Sequence, residues 1–229
     1  MNKKKSKKLK LRLIRKNPRY VRWVENMDEF GRACNANQQF RLAFRPLLKN
    51  MADRYVSGRL SRLMLRVLQS DKIHGRGERT VVDGELQLLE HFNFNRETRL
   101  FDILSIPGYT IHFSRETGQV QVSLPAILPA TFVNYPEGAN QFSIHVIAAA
   151  VDFSGYSDIE PGHYSTEEIS QSVTWTEPEQ FTLHLPPGIH LPVFITIGIE
   201  FSKRLRSGKF MLTDKKYNAM EVVRVVSGE

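Results

Sequence analysis

The chain has 229 residues, of which 41% are hydrophobic and 24% are charged. This length and composition are typical of a globular protein that buries a core. No apolar run approaches the roughly 18 to 20 residues that cross a bilayer, so no membrane span is predicted. Cys34 is the sole cysteine, which excludes an intrachain disulfide framework and a cysteine zinc site and predicts a reducing, cytoplasmic compartment.

The net charge of +8 conceals an uneven distribution along the chain. Residues 1–80 carry 22 Lys and Arg against 6 Asp and Glu, a balance of +16. Residues 81–229 carry 10 against 18, a balance of −8, and the two balances sum to +8. Such asymmetry indicates a polyanion partner for the basic part. It is equally compatible with a basic part that docks on acidic residues of its own chain or of a neighbour.

Residues 1–16 hold nine Lys and Arg residues and no acid. Such blocks are typical of tails that bind nucleic acid or anionic surfaces. Leu9, Leu11 and Leu13 alternate with cations, and this period of two is also typical of a basic edge strand. The sequence leaves both interpretations open.

The pattern becomes helical after Asn17 and Pro18. Tyr20 and Trp23 lie among arginines, where they could stack on bases or pack on a protein. Apolar residues then recur at helical spacing from about Met27, and Pro46 predicts a kink or a new helix start.

A third helix is predicted over residues 55–68, with Ser57 as its N-cap. Its apolar stripe is expected to pack inward. Arg59, Arg62 and Arg66 form a second stripe that has no carboxylate three or four residues away, so these arginines are predicted to stay accessible.

The period changes to two in the second half of the chain. Residues 74–83 contain two glycines and read as a tight connector; they lack the features of a phosphate-binding loop. From Tyr109 onward about eight alternating segments follow, including 169–175 and the clean alternation of 193–201. Strands without intervening helices predict an antiparallel β-sandwich. In the 193–201 segment, Ile195, Ile197 and Ile199 are expected to face one buried layer, with Phe194 buried as well.

The predicted fold class is therefore α+β, in which a basic N-terminal arm and a helical region precede the sandwich. The predicted boundaries are 1–16 for the arm, 17–74 for the helical region, 75–108 for the connector and 109–229 for the antiparallel β-sandwich.

Residues 17–95 and 190–226 resemble an uncharacterised family of bacterial proteins of similar length that has no assigned activity. The phrases that carry the resemblance are NPRYVRWVENMDEFGRA, FRLAFRPLL, RGERTVVDGELQLLEHFNFN, LPVFITIGIEF and YNAMEVVRVV. Members of that family begin with a glycine-containing β-hairpin, whereas this chain begins with a lysine-rich run. The resemblance implies a fold and a compartment and no activity.

No catalytic or metal motif stands out from the background. The histidines form no helical metal-binding pattern, and His112, His145 and His184 are expected to face solvent from strands. Asp152 and Glu200 could form a carboxylate couple only if paired strands brought them together, and outward strand positions are the expected reading. Cys34 has no visible histidine partner, and Trp175 is expected to be core.

The predicted function is non-enzymatic binding of a polyanion, RNA or DNA, with no metal and no cofactor. The alternative is a structural or assembly protein that forms protein–protein contacts or a homo-oligomer; a sandwich-borne hydrolase is a remote third. The predicted polyanion-binding residues are Lys3, Lys4, Lys5, Lys7, Lys8, Lys10, Arg12, Arg15, Lys16, Arg19, Arg22, Arg59, Arg62 and Arg66.

Overall fold

A computed structural model describes residues 14–157, 159–205, 208–211 and 215–228. Its helical layer consists of α1 (Val21–Ala43), α2 (Arg45–Met51) and α3 (Val56–Gln69). Pro46 lies in the first turn of α2, so it separates α1 from α2 as predicted. The first helix begins earlier than Met27, because Asn17 accepts a hydrogen bond from the Arg19 N–H and starts a 3-10 turn that leads into α1.

The start of α3 corrects the prediction that Ser57 caps it. The helix begins at Val56, and the Asp53 carboxylate accepts the Tyr55 N–H at 2.6 Å just before it. The Ser57 carbonyl and hydroxyl instead accept hydrogen bonds from the side-chain amide of Asn37, at 3.0 and 3.2 Å. Ser57 therefore joins α3 to α1.

Nine strands form two antiparallel sheets in the described residues. A three-stranded sheet has the order β1-β2-β6, and a six-stranded sheet has β4-β3-β7-β8, with β5 on β3 and β9 on β7. The strands are β1 Thr110–Ser114, β2 Gln119–Leu124, β3 Gln141–Ala150, β4 Gly162–Ser165, β5 Ile169–Ser170, β6 Glu179–His184, β7 Val193–Leu205, β8 Gly208–Met211 and β9 Ala219–Val226. Of two further short helices, α4 (Leu100–Ile103) precedes β1, and α5 (Pro129–Phe132) lies between β2 and β3. This arrangement confirms the α+β class.

The six-stranded sheet is buried on both faces. One face packs on the helices through Ile147, Ala149 and Phe194, together with Phe40 and Met64 of the helices. The other face packs on the three-stranded sheet. The residues of this second core that come from β7 are Val193, Ile195, Ile197, Ile199 and Phe201. The predicted burial of the three isoleucines and of Phe194 is confirmed, since none is exposed.

The predicted strand over 169–175 is shorter than expected. Only Ile169 and Ser170 pair with β3, and the Val173 N–H then bonds to the Ser170 carbonyl at 3.1 Å, which turns the chain away. Trp175 is 57% exposed, so its expected place in the core is wrong.

The edge of the six-stranded sheet at β9 is covered by the segment 91–94. The His91 N–H bonds to the Val222 carbonyl at 2.8 Å, and the Phe94 N–H bonds to the Met220 carbonyl at 2.9 Å. A register shift in the β7–β9 pairing lies next to these residues, between Ile195 and Thr196. Segment 91–94 thus acts as a further short strand that satisfies a free sheet edge.

None of the helices in the described parts of the chain combines the length and the apolar composition needed to cross a membrane.

Candidate polyanion-binding surface

The first half of α1 and the turn before it contribute nothing to the core. No residue from Ile14 to Asp28 is buried. The second half of α1 supplies the buried residues Glu29, Ala33, Ala36, Asn37 and Phe40. Tyr20 and Trp23 are 46% and 47% exposed. A surface helix normally buries one apolar stripe, so the start of α1 presents to solvent the rings that would ordinarily be covered.

Three predicted cations lie on the same stretch and are available to a partner. Lys16, Arg19 and Arg22 are exposed, and no acid in the described residues lies within ion-pair distance of them. Arg15 is different, because its guanidinium pairs with the Asp28 carboxylate at 2.6 Å. The first seven predicted residues, Lys3, Lys4, Lys5, Lys7, Lys8, Lys10 and Arg12, lie outside the described residues, as does the choice between tail and edge strand.

The arginines of α3 divide into two kinds. Arg62 and Arg66 are exposed and have no ion pair among the described residues, as predicted. Arg59 corrects the prediction, because its side chain is only 28% exposed. One amino group of its guanidinium donates to the Asn93 carbonyl, and the other donates to the Phe94 carbonyl and the Asp53 carboxylate. Arg59 therefore anchors segment 91–94 to the helices.

Most acids of residues 1–80 form ion pairs with arginines of the same range. Asp28, Asp53, Glu25 and Glu29 each lie within ion-pair distance of an arginine, respectively Arg15, Arg59, Arg76 and Arg79. No described Lys or Arg of the first 80 residues forms an ion pair with a described acid beyond residue 80. Internal docking of the basic part on the acidic sandwich is therefore not what balances the charge asymmetry in the described structure.

Tyr55 forms a second cationic and aromatic group that the sequence did not reveal. The guanidinium carbons of Arg54 and Arg96 lie 4.6 and 5.1 Å from the centre of its ring. The Arg96 N–H also bonds to the Asp53 carboxylate at 2.8 Å. Only the fold brings Arg96 next to Tyr55, so no local sequence signal could have identified the group.

A cleft of about 560 Å³ opens beside this group, and we call it the β9-edge cleft. Arg59 and Leu63 of α3 line one side of it. The remaining lining includes His91, Asn93, Arg96, Arg99, Phe101 and the acids Glu90, Asp102 and Glu221. The guanidinium carbon of Arg59 lies 5.1 Å from the ring centre of Phe92, which fixes a positive charge in the wall. Arg59 is the one predicted site residue in this lining; neither Arg96 nor Arg99 is among the residues predicted from the sequence.

The strand histidines only partly match expectation. His112 and His184 are exposed, as predicted, whereas His145 is buried because the helical layer covers its face of β3. Its Nε2 lies 3.1 Å from Ser143 Oγ and 3.5 Å from Glu200 Oε2. A serine–histidine–carboxylate relay needs one partner at each ring nitrogen. Both partners of His145 lie at the same nitrogen, so this cluster has no relay geometry.

Asp152 and Glu200 lie at opposite ends of the β3–β7 pair. Glu200 pairs with Ser143, near the start of β3, whereas Asp152 follows Ala150, the last residue of that strand. The Asp152 carboxylate instead accepts hydrogen bonds from the backbone N–H groups of Ser154 and Ser157. The register therefore rules out a carboxylate couple between these residues.

Asp71, His74 and Asp83 bring their potential ligand atoms within 4.8 Å of one another. The oxygens of Asp71 already accept hydrogen bonds from the N–H groups of Ile73, His74 and Thr80 and from His74 Nδ1. Asp83 accepts the Thr80 hydroxyl at 2.6 Å. These hydrogen bonds stabilise the 71–83 loop, and they explain why the three side chains lie together.

The described surface thus combines unpaired cations with exposed aromatic rings, the two kinds of group that contact phosphates and bases. These groups lie at the start of α1, and α3 carries two further exposed arginines, Arg62 and Arg66. No protein-family model, curated protein or solved structure matches this chain.

Proposed function

We propose that the protein binds a polyanion, RNA or DNA, through its basic arm and the start of α1, and that it acts by binding rather than by catalysis. The observation that supports this most is the stretch from Ile14 to Asp28, which buries no residue and carries Lys16, Arg19 and Arg22 without ion pairs in the described structure. Unpaired cations break no existing ion pair when they bind phosphates. Their binding also releases condensed counterions from the nucleic acid.

The aromatic rings favour a strand with accessible bases. Tyr20 and Trp23 alternate with the arginines, so a phosphate on Arg19 or Arg22 leaves neighbouring bases within reach of a ring. Stacking on such rings tolerates any base and adds roughly 1 to 3 kcal/mol per base. Single-stranded RNA or DNA is therefore the preferred form of the nucleic-acid ligand. The cytoplasm is the proposed compartment.

Arg62 and Arg66 extend the surface onto α3, whereas Arg59 is left out of it. Both exposed arginines stand three to seven residues from Arg59 on the same helix, within two helical turns. Arg15 contributes less than its neighbours because Asp28 already neutralises it. The proposed contact residues in the described part are accordingly Lys16, Arg19, Arg22, Arg62 and Arg66.

An assembly protein is the second candidate, and one observation favours it. Val21, Trp23 and Phe30 are exposed apolar residues on α1, at 48%, 47% and 52%. Exposed apolar groups of this size also mark protein–protein contacts. The two functions separate by behaviour in salt: a nucleic-acid binder elutes late from heparin as a small species, whereas an assembly forms a large particle that persists at high salt.

The decisive experiment measures binding of labelled single-stranded RNA and duplex DNA against salt concentration. Lys16, Arg19 and Arg22 are changed together to Ala, and a control changes Arg45, Lys72 and Arg224, which are equally exposed and remove the same charge. Loss of three phosphate contacts lowers the slope of log K against log salt by about 2 for single strands, at about 0.7 per contact. The control is expected to keep most of the slope.

A second pair of variants tests the rings. Tyr20 and Trp23 are changed to Ala, with Tyr156→Ala and Trp175→Ala as the control, since both control rings are also exposed. Weaker binding of the single strand with an unchanged salt slope is expected for the first pair alone. If both charge variants behave alike and the protein runs as a salt-resistant particle, the assembly function replaces the binding function.

A further inference from the structure

His91 has the one strained backbone among the non-glycine residues that the structure describes. Its φ is +62°, in the left-handed region that costs an ordinary residue free energy. Strain of this kind persists where the surrounding structure imposes it, and it concentrates at binding and catalytic sites. His91 lies in the wall of the β9-edge cleft with its side chain 75% exposed.

A buried carboxylate fixes the His91 ring. Its Nδ1 lies 2.9 Å from Glu221 Oε1, so Nδ1–H donates to that oxygen, and the Glu221 side chain is only 4% exposed. The other oxygen of Glu221 accepts from the Asn93 side-chain amide at 2.6 Å. The side-chain oxygen of Asn93, Oδ1, accepts the Leu100 N–H at 2.9 Å. This chain of bonds orients the ring and leaves Nε2 as the nitrogen free to meet a ligand.

Three arginines line the cleft together with this histidine. Arg59 has both amino groups occupied, whereas Arg96 and Arg99 are exposed. Two acids of the cleft accept hydrogen bonds from protein groups. Both oxygens of Glu221 are bonded, and Glu90 accepts the Val225 N–H at 2.9 Å. Asp102 is the exposed acid of the lining. The open groups beside His91 are therefore chiefly cationic.

An aromatic ring completes the lining. Phe101 is 43% exposed, and its ring stacks on that of Tyr109 with 6.5 Å between centroids. A ring that is supported on one face and open on the other can take a nucleobase by stacking. The cleft volume of about 560 Å³ lies within the range of pockets that hold small ligands, roughly 300 to 1,000 Å³.

We infer that the β9-edge cleft binds a nucleotide that carries a terminal phosphate, either free or as the phosphorylated end of a single strand. Arg96 and Arg99 contact the phosphate, His91 Nε2 shares a proton with one phosphate oxygen, and Phe101 stacks on the base. A phosphate monoester suits this arrangement because it retains a titratable proton near neutral pH, which a diester linkage lacks. As the end of a strand, this ligand rests on the proposed nucleic-acid function; as a free nucleotide it does not.

The test is calorimetric titration of the full chain with AMP, ribose 5-phosphate and adenosine. AMP is expected to bind at least about tenfold more tightly than adenosine, because charge-assisted contacts to the phosphate are the strong ones. Ribose 5-phosphate should fall between them, since it keeps the phosphate and loses the base. Equal affinities for AMP and adenosine, or no binding of any of the three, would overturn the inference.

Four variants assign the contacts. Arg99→Ala and His91→Asn should each weaken AMP about tenfold, the effect of one lost charged hydrogen bond. Phe101→Ala should reduce AMP to the affinity of ribose 5-phosphate, and the exposed control Lys72→Ala should change nothing. Asn tolerates the left-handed region, so His91→Asn should keep the melting temperature within a few degrees. If His91→Asn unfolds the protein while Arg99→Ala binds AMP normally, the cleft is structural and the inference fails.

Binding of free AMP distinguishes the function of this cleft from that of the arm. The triple variant of Lys16, Arg19 and Arg22 should bind a strand more weakly and keep AMP binding. If strand binding proves independent of the arm while AMP still binds, the proposed function fails and the cleft stands. A strand with a 5′-phosphate that binds the wild type more tightly than its 5′-hydroxyl counterpart, with no such difference in Arg99→Ala, identifies the strand end as the ligand.

Discussion

Asp71 is a buried carboxylate that the loop 71–83 wraps with donors. It is 3% exposed, and burial alone would raise its pKa. The backbone N–H groups of Thr80, His74 and Ile73 and the His74 ring outweigh burial and hold the pKa of Asp71 well below its ordinary value. This loop also meets α1, where Arg32 donates to the carbonyls of Gly77 and Arg79 at 2.6 and 2.7 Å.

Asp71→Asn is expected to lower the free energy of unfolding by about 2 kcal/mol at pH 7, because the charged acceptor is lost. The folded-state pKa is depressed, so this stabilisation is present above the unfolded pKa of about 4 and disappears as the pH falls through the folded value. Urea unfolding of both proteins at pH 7 and at pH 3 measures the difference, which should be smaller at pH 3.

The exposed Glu78 lies in the same loop, and Glu78→Gln serves as the control for Asp71 because it removes a charge without removing a buried acceptor. Its effect should stay within about 0.5 kcal/mol at either pH. A deficit in Asp71→Asn that is equally large at both pH values would contradict the ionised-acceptor explanation.

The β1–β2 hairpin depends on Gly118 for two separate reasons. Its φ is +69°, and a Cβ built there would lie 2.1 Å from the Leu185 carbonyl oxygen. The Leu185 N–H in turn donates to the Gly118 carbonyl at 2.8 Å, so this turn holds the chain just after β6 close to the hairpin. Gly108 has a similar φ of +81° but open space around its Cβ position.

Gly118→Ala and Gly108→Ala therefore separate strain from close approach. Gly108→Ala should cost about 1 kcal/mol, the penalty for the left-handed conformation alone. Gly118→Ala should cost clearly more, because the backbone of Leu185 must also move. Thermal unfolding of the two variants compares these costs, and equal losses would show that the Leu185 contact adds nothing.

Local periodicity predicted the elements whose environment is uniform along their length. The alternation over 193–201 gave the correct burial of Ile195, Ile197 and Ile199 because strand side chains alternate between faces. Pro46 gave the break between α1 and α2 because its ring cannot continue a helix. Both signals lie within a few residues of the feature that they predict.

Errors arose where a partner distant in sequence decides the outcome. His145 alternates as a solvent-facing residue would, but the helical layer covers its face of β3. The spacing of Arg59 predicts that it belongs to an exposed stripe. Segment 91–94 instead brings two carbonyl groups to its guanidinium. The β9-edge cleft depends on the pairing of that segment with β9, which no local pattern encodes.

At the scale of the molecule, most acids of the basic part pair with arginines of the same part, so these described pairs leave the charge asymmetry between the two parts in place. Glu25 and Glu29 pair with the arginines of the 71–83 loop, and Asp53 pairs with Arg59. The +16 balance of residues 1–80 is thus left without described ion pairs to the −8 part. A surplus of this size produces a long-range field that attracts polyanions and weakens as salt is added.

Removal of residues 1–16 tests whether that surplus serves binding or structure. The deletion removes nine cations, so strand binding should weaken by orders of magnitude at low salt. The slope of log K against log salt should flatten by about 0.9 for each lost contact to duplex DNA. The melting temperature should stay nearly constant, because the pair lost in the described part, Arg15–Asp28, is exposed and surface pairs contribute at most about 1 kcal/mol.

A lower melting temperature after the deletion would show that the arm is part of the fold. If Leu9, Leu11 and Leu13 complete a sheet as an edge strand, the deletion lowers the melting temperature and exposes an edge that aggregates. Measuring the slope and the melting temperature on the same truncated protein distinguishes the two cases, because a solvated arm changes the first alone. If the truncated protein loses its fold while binding keeps its full salt slope, the arm is structural and the proposed polyanion function is wrong.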